Sequence, residues 1–285
     1  MLTVFAPAKI NLDLKVSIQT FRHPLRPGEK LHHVTSTMLK IPLSDELKFE
    51  KVAGEKITMS FSGPYARKVP NNSQNLIFRT AKLFFTKLHI KSGLNIQVMK
   101  NIPLRSGLGG ASSDAAATFQ VLRTIFPEKA AKIPEKTWQE MAFSLGSDVP
   151  FFFQEENIVL VSGFGEKCAA AKLKKLPGKW ICLAMLPKIS CESAWAYAEL
   201  DTARKKNPAK EFTQVNNDFE IPIFAHFPDL QNLCTEFKKL GSTRTGLTGS
   251  GSTVFAFFET EKEAQKAEAS LAVHCAFWQK LLIER

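Results

Sequence analysis

The densest run of residues able to do chemistry is Pro103-Leu104-Arg105-Ser106-Gly107-Leu108-Gly109-Gly110-Ala111-Ser112-Ser113-Asp114, followed by three alanines. Three glycines within four residues let a backbone turn sharply and approach a ligand with no Cβ in the way. Ser112, Ser113 and Asp114 stand where a helix N-cap belongs. Free N–H groups and the positive end of the helix dipole would then face whatever the loop admits, which makes it an anion site, phosphate first. The Lys of a G-x-x-x-x-G-K-[ST] loop is missing, and Ser112 stands where G-x-G-x-x-G needs its third glycine. Taken alone, the run is equally an ordinary capped turn.

Three other stretches carry polar groups in unusual company. Lys9, Asn11 and Asp13 alternate with Ile10, Leu12 and Leu14, which puts them on one face of a strand. Asp148 is followed by Val149-Pro150-Phe151-Phe152-Phe153, a carboxylate against apolar surface; an isolated Asp there is more simply the cap of a turn. Thr248-Gly249-Ser250-Gly251-Ser252 is a second glycine cluster. His32 and His33 have no third His or carboxylate nearby to suggest a metal.

The elements that must position these groups follow from periodicity. Period two predicts a half-buried strand from Lys9 to Ser17, then a loop over 20–31 and strands over 33–43, 46–52 and 56–61. A helical stripe covers Asn75 to Leu88. A strand over 94–99 feeds the first glycine loop, and helices run from it to about Phe126 and from Pro134 to Leu145. Phe151 onward reads as an apolar strand, as does Ile158 to Ser162, with a turn at Gly163-Phe164-Gly165-Glu166. Strand Trp180–Leu186, helix Glu192–Leu200, a polar loop over 201–211, helix Pro228–Leu240, strand Thr253–Phe258, a helix near 260–272 and a last strand near 276–283 complete the chain. The second half is read as a ferredoxin-like arrangement of strands and helices. A boundary near Gly163 gives domains over 1–163 and 164–285.

The 285 residues, 44% hydrophobic and 23% charged, suit one large or two ordinary soluble domains. Five cysteines without C-x-x-C spacing give neither a disulfide framework nor a zinc site, and a reducing cytoplasm is expected. No signal-like leader and no membrane-length apolar run is read. The net charge of +11 is dispersed, with small clusters at Lys172, Lys174 and Lys175 and at Lys205 and Lys206 and few interleaved aromatics. A field drawing in a polyanionic small molecule is expected rather than a nucleic-acid surface.

Taken together, Pro7-Ala8-Lys9-Ile10-Asn11-Leu12, Pro103 to Ala117, and Leu247-Thr248-Gly249-Ser250-Gly251-Ser252-Thr253-Val254-Phe255 resemble, in order and spacing, the three motifs of the GHMP small-molecule kinases. The resemblance covers essentially the whole chain. It implies a two-domain α+β fold: an N-terminal ribosomal-protein-S5-like ATP and catalytic domain, a C-terminal ferredoxin-like domain, and the active site in the cleft between them. Gly146-Ser147-Asp148-Val149-Pro150-Phe151-Phe152, Gly163 to Glu166 and Asn217-Asp218-Phe219-Glu220 are similar to the branch that phosphorylates an alcohol on a cytidine diphosphate conjugate. By that resemblance Asp148 is the catalytic base and Lys9 its charged partner. Pro103, Arg105, Ser106, Gly107, Leu108, Gly109, Gly110, Ala111, Ser112 and Ser113 hold the ATP phosphates. Asn11, His32, His33, Tyr197, Gly249, Ser250 and Gly251 hold the acceptor. Mg²⁺ arrives with ATP, no side chain being assigned as a metal ligand, and a monomer or weak homodimer is expected.

The chain departs from the family pattern twice. Ala111 replaces a glycine. In Arg26-Pro27-Gly28-Glu29-Lys30-Leu31-His32-His33, His32 holds the place of a base-stacking Tyr, while His33 matches a His whose backbone pairs with cytosine. Tyr197 would cover the other face of the base. A kinase for another small alcohol, or a nucleotide- or RNA-binding protein on the same fold, are the competing readings.

Overall fold

A computed structural model describes residues 1–25, 28, 30–171, 173, 175–206 and 212–283. Arg26, Pro27, Glu29, Lys172, Lys174 and the 207–211 part of the expected polar loop lie outside them.

The first half is a mixed seven-stranded sheet with helices against one face. Its strands are β1 (Leu2–Asn11), β2 (Lys15–Arg22), β3 (Lys30–Val52), β4 (Ile57–Ser62), β5 (Gly93–Met99), β6 (Ile158–Gly163) and β7 (Lys167–Ala170). Its helices are α1 (Leu76–Lys87), α2 (Gly110–Ile125), α3 (Pro127–Ala130), α4 (Glu135–Leu145) and α5 (Val149–Phe152). The long β3 is the spine: β1, β2, β5 and β6 all pair with it antiparallel, while β4 joins β5 in parallel. Two strands were expected where β3 runs unbroken. Pro42 is absorbed where the β1 register shifts at Pro7/Ala8, because an irregularity in the ladder needs no N–H from proline. Phe49, Ile96, Phe84, Phe119 and Trp138 fill the layer between sheet and helices.

The single strand expected over Lys9–Ser17 is instead β1 and β2 with a break at 12–14. There the Leu12 N–H turns to Thr37 O and the Asp13 carboxylate accepts the Thr37 N–H at 2.7 Å. These two bonds made in the break outweigh continuation of the pleat, and Ile18, in phase with Leu12 and Leu14 in the expected strand, is exposed. The expected loop at 20–31 is shorter, since β2 and β3 extend their hairpin to Arg22 and Lys30.

The second half holds β8 (Trp180–Met185), α6 (Ser193–Lys206), α7 (Glu220–His226), α8 (Pro228–Lys239), β9 (Arg244–Leu247), β10 (Val254–Phe258), α9 (Glu261–Leu271) and β11 (Phe277–Leu282). Its sheet is antiparallel in the order β11-β8-β10-β9. That is the ferredoxin-like order, and the whole chain has the expected two-domain α+β architecture. The boundary expected at 163/164 falls inside the β6–β7 hairpin, so the first sheet continues to Ala170. Helix α6 runs to Lys206, into part of the expected polar loop, and α7 is an element the periodicity did not predict. No helix among the described residues is long and apolar enough to cross a membrane.

Candidate active site

The two sheets meet across a cleft of about 730 Å³ lined from both halves, by Lys9, Asn11, Asp148 and the glycine loop on one side and by Tyr197, Gly249 and Ser250 on the other. Each group arrives there for a local reason. Lys9 and Asn11 share one face of β1, where they are 3% and 1% exposed and so do not face solvent. The Lys9 ammonium donates to Asn11 Oδ1 at 2.6 Å and lies 3.7 Å from Asp148 Oδ2. Burial pulls the Lys9 ammonium below its ordinary value, and the Asp148 charge opposes that. Asn11 donates to Ser36 Oγ at 2.7 Å, so both ends of its amide are satisfied by protein. Its place is to hold Lys9.

Asp148 precedes α5, whose second residue is Pro150; the expected apolar strand here is a helical turn because proline is preorganised for a first turn. The carboxylate makes no capping bond, so the turn-cap alternative is excluded. It is one-third exposed, facing the cleft.

The glycine loop turns at Gly107 (φ 78°) and Gly109 (φ 74°). Gly109, not one of the serines, is the α2 cap, and Ser112, Ser113 and Asp114 lie inside the helix, Asp114 beyond its first turn. The glycines are needed for their protein neighbours. A Cβ on Gly107 would come 2.2 Å from Thr248 O, and one on Gly109 would come 3.0 Å from Lys9 Cγ. What remains open to the cleft is the start of α2 at Gly110, Ala111 and Ser112, whose amides have no intrahelical acceptor. Pro103, Leu104, Arg105 and Ser106 continue that wall. Leu108 belongs instead to the core, and Ser113 is buried.

The second glycine cluster packs on the first through Thr248, whose hydroxyl accepts the Asn11 N–H at 3.0 Å. Asn217 Nδ2 donates to Leu247 O and Gly249 O, both at 2.8 Å, fixing the turn from behind. Gly249 and Ser250 face the cleft; Gly251 lines a smaller hollow of about 310 Å³ beside Cys191. Arg105 and Glu192 form an exposed ion pair at 2.6 Å between the halves.

At the far end, the His32 and Tyr197 rings lie parallel within 10°, centroids 5.8 Å apart. The His32 ring is held by Ser17 O at 2.7 Å and Asp201 Oδ2 at 3.3 Å. Burial, with the Asp148 charge adding, pushes the Tyr197 phenol up to about 12. His33 is a correction: its ring stacks on Phe21 at 3.9 Å and its N–H goes to Ser17 Oγ, so neither reaches toward the cleft. Strand alternation sends adjacent residues to opposite faces, which selects His32 over His33.

Several groups escaped the sequence reading: Thr248 and Asn217 as braces, Glu192, and a buried cluster of Asp45, Lys100 and Asp114. Among the described residues no group of three His, Cys, Asp or Glu is gathered to hold a metal.

The GHMP kinases N terminal domain model matches residues 75–156, and the GHMP kinases C terminal model residues 199–276. The 4-diphosphocytidyl-2-C-methyl-D-erythritol kinase of Geobacter sulfurreducens is 31% identical over 93% of each chain. A putative kinase of the same name from Streptococcus mutans is 31% identical over 95% of each. A crystal structure of 4-(cytidine 5'-diphospho)-2C-methyl-D-erythritol kinase superposes with TM-score 0.71 and 26% identity, covering 99% of this chain and 100% of its own. The Methanococcus jannaschii mevalonate kinase shares the fold, at TM-score 0.68 and 13% identity.

Proposed function

Because this chain belongs to the GHMP kinase family, we propose that it transfers the γ-phosphate of ATP to the 2-hydroxyl of 4-diphosphocytidyl-2-C-methyl-D-erythritol, giving the 2-phosphate and ADP in isoprenoid precursor synthesis. The observation that carries the chemistry is the Lys9–Asp148 pair facing the free amides of α2 in one cleft.

The residues divide the work as follows. The α2 amides, at the positive end of the helix, hold phosphate oxygens. Lys9 adds a cation beside them. No carboxylate deprotonates an alcohol in the ground state, but phosphoryl transfer has a loose transition state in which the proton leaves late. Asp148 therefore orients the hydroxyl and takes its proton as the O–P bond forms, with the Lys9 ammonium 3.7 Å from the carboxylate offsetting its charge. Mg²⁺ bound with the ATP phosphates would supply neutralisation of their charge beside the α2 amides. His32 and Tyr197 bracket the cytosine, with rings that need to part by roughly 1 Å to admit a base at stacking distance. Gly249 and Ser250 lie between base site and phosphate loop, where the acceptor diphosphate passes.

Coupled ADP-release assays against the cytidine conjugate, mevalonate, homoserine and galactose test the assignment. The cytidine conjugate is expected to have the highest kcat/KM; preference for a non-cytidine alcohol rejects it.

A further inference from the structure

Beneath the phosphate loop, three charged side chains share a site that the transfer chemistry does not use. Asp45 lies on β3, Lys100 follows the end of β5, and Asp114 is the fifth residue of α2; they are 0%, 2% and 3% exposed. The Lys100 ammonium donates to Asp45 Oδ2 and, at 2.6 Å, to Asp114 Oδ2. Asp45 Oδ1 accepts the N–H groups of Asn101 at 2.6 Å and Ile102 at 2.9 Å. Asp114 Oδ1 is buried with no hydrogen-bond partner among the described residues.

These bonds close the loop at its base. Asp45 grips the two amides where the chain leaves β5, and Lys100 ties that point to the start of α2, whose open amides face the cleft. We propose that Asp45, Lys100 and Asp114 are positioning residues for the phosphate loop, and that the net charge of this buried triad sets the grip of the loop on ATP.

Two ionised carboxylates on one ammonium leave an uncompensated buried charge, which is costly. Asp45 has the fuller set of donors, so Asp114 is where the conflict is relieved. Burial pushes the Asp114 carboxyl up to about 7; Lys100 opposes the shift and Asp45 adds to it. Burial works to lower Lys100, but the two carboxylates outweigh it and hold the ammonium above its ordinary value. Of the elements packed on α2, namely β1, β3, α1, α3, α4 and α5, the charged group facing Asp114 among the described residues is Asp45 from β3; Lys100 faces it from the strand end. With Asp114 protonated the triad is neutral. With Asp114 ionised, a negative charge sits behind amides that must bind an anion.

The inference rests on the ATP-binding reading above. The test is calorimetric binding of a non-hydrolysable ATP analogue with Mg²⁺ at pH 6, 7 and 8, in the wild-type protein and in Asp114→Asn, which keeps an acceptor for Lys100. Protonation of the analogue contributes equally to both proteins. The wild-type Kd is expected to rise about three- to tenfold from pH 6 to 8, the scale of one like charge roughly 10 Å away in a partly screened site. The variant should keep the tighter Kd across the range, with only the slope of the analogue itself. An equal slope in both proteins overturns the proposal, as does a flat wild-type profile, which decides the matter even if the variant does not fold. Absence of analogue binding at every pH overturns the kinase reading instead.

Discussion

Asp148 has two duties at residue scale, because the carboxylate that takes the proton also sustains the charge on Lys9. Replacing it with Asn removes the acceptor and lets burial lower the Lys9 ammonium unopposed. Turnover in Asp148→Asn is expected to fall about 10²–10⁴-fold, measured as steady-state ADP release. The double variant with Lys9→Met should lose little more, since groups that act as a unit are not additive. Two losses that multiply in full would separate Lys9 from Asp148. Lys9, Asp148 and the glycine loop were legible in the sequence as residues out of keeping with their apolar neighbours. The same logic, pressed further, reaches the triad. Asp45 is in phase with the buried Leu43, Leu47 and Phe49, and Lys100 with Leu94, Ile96 and Val98. Asp114 shares a helical face with Ala117 and Val121, both buried. A charge in phase with the core of each of three elements is a signal that they meet. The roles of the glycines were not legible, since a sequence does not reveal whether a missing Cβ makes room for a phosphate or for Thr248 O.

At the scale of elements, local signals and tertiary demands separate cleanly. Helices α1 and α4 and strand β4 follow their periodicity because each has one face to bury, while β8 and β10, buried on both faces, read as short continuous apolar runs. Val149–Phe152 does not, because a four-residue apolar run fits a strand or a helical turn equally, and Pro150 decides in favour of the turn. The β1–β2 break rests on Asp13 reaching Thr37, a contact 24 residues away that no local window contains. Where all signals are local, the element is fully specified. In α9 the Thr260 hydroxyl accepts the Glu263 N–H at 3.3 Å and Glu263 Oε2 accepts the Thr260 N–H at 3.1 Å, a complete capping box. Thr260→Ala should cost about 1 kcal/mol as a lower urea midpoint, with kcat and both KM values unchanged because the box is remote from the cleft. A change in KM would mean that the C-terminal sheet transmits strain to the site.

For the whole molecule, the cleft depends on how the ferredoxin-like half is fixed against β2, and Asp218 makes that joint. The main chain crosses between the halves at Leu14, whose N–H reaches Asn216 O and whose carbonyl accepts the Asp218 N–H, both at 2.9 Å. The Asp218 carboxylate then takes the Val16 N–H, the Lys15 ammonium and the Arg204 guanidinium, each at 3.0 Å. Arg204 also donates to Val16 O and Ser17 O, and Ser17 O is the acceptor that holds the His32 ring. The joint is thus continuous with the aromatic end of the cleft, and α6 carries both Arg204 and Tyr197. Asp218→Asn leaves the nearly buried Arg204 without its counter-charge, a loss of about 3 kcal/mol, read as a lower urea midpoint. Because the same contacts set the spacing of His32 and Tyr197, KM for the cytidine substrate should rise more than KM for ATP, whose loop is built on the other half. Equal rises in both KM values, or destabilisation with neither changed, would make Asp218 a fastener of the fold with no part in setting the base site.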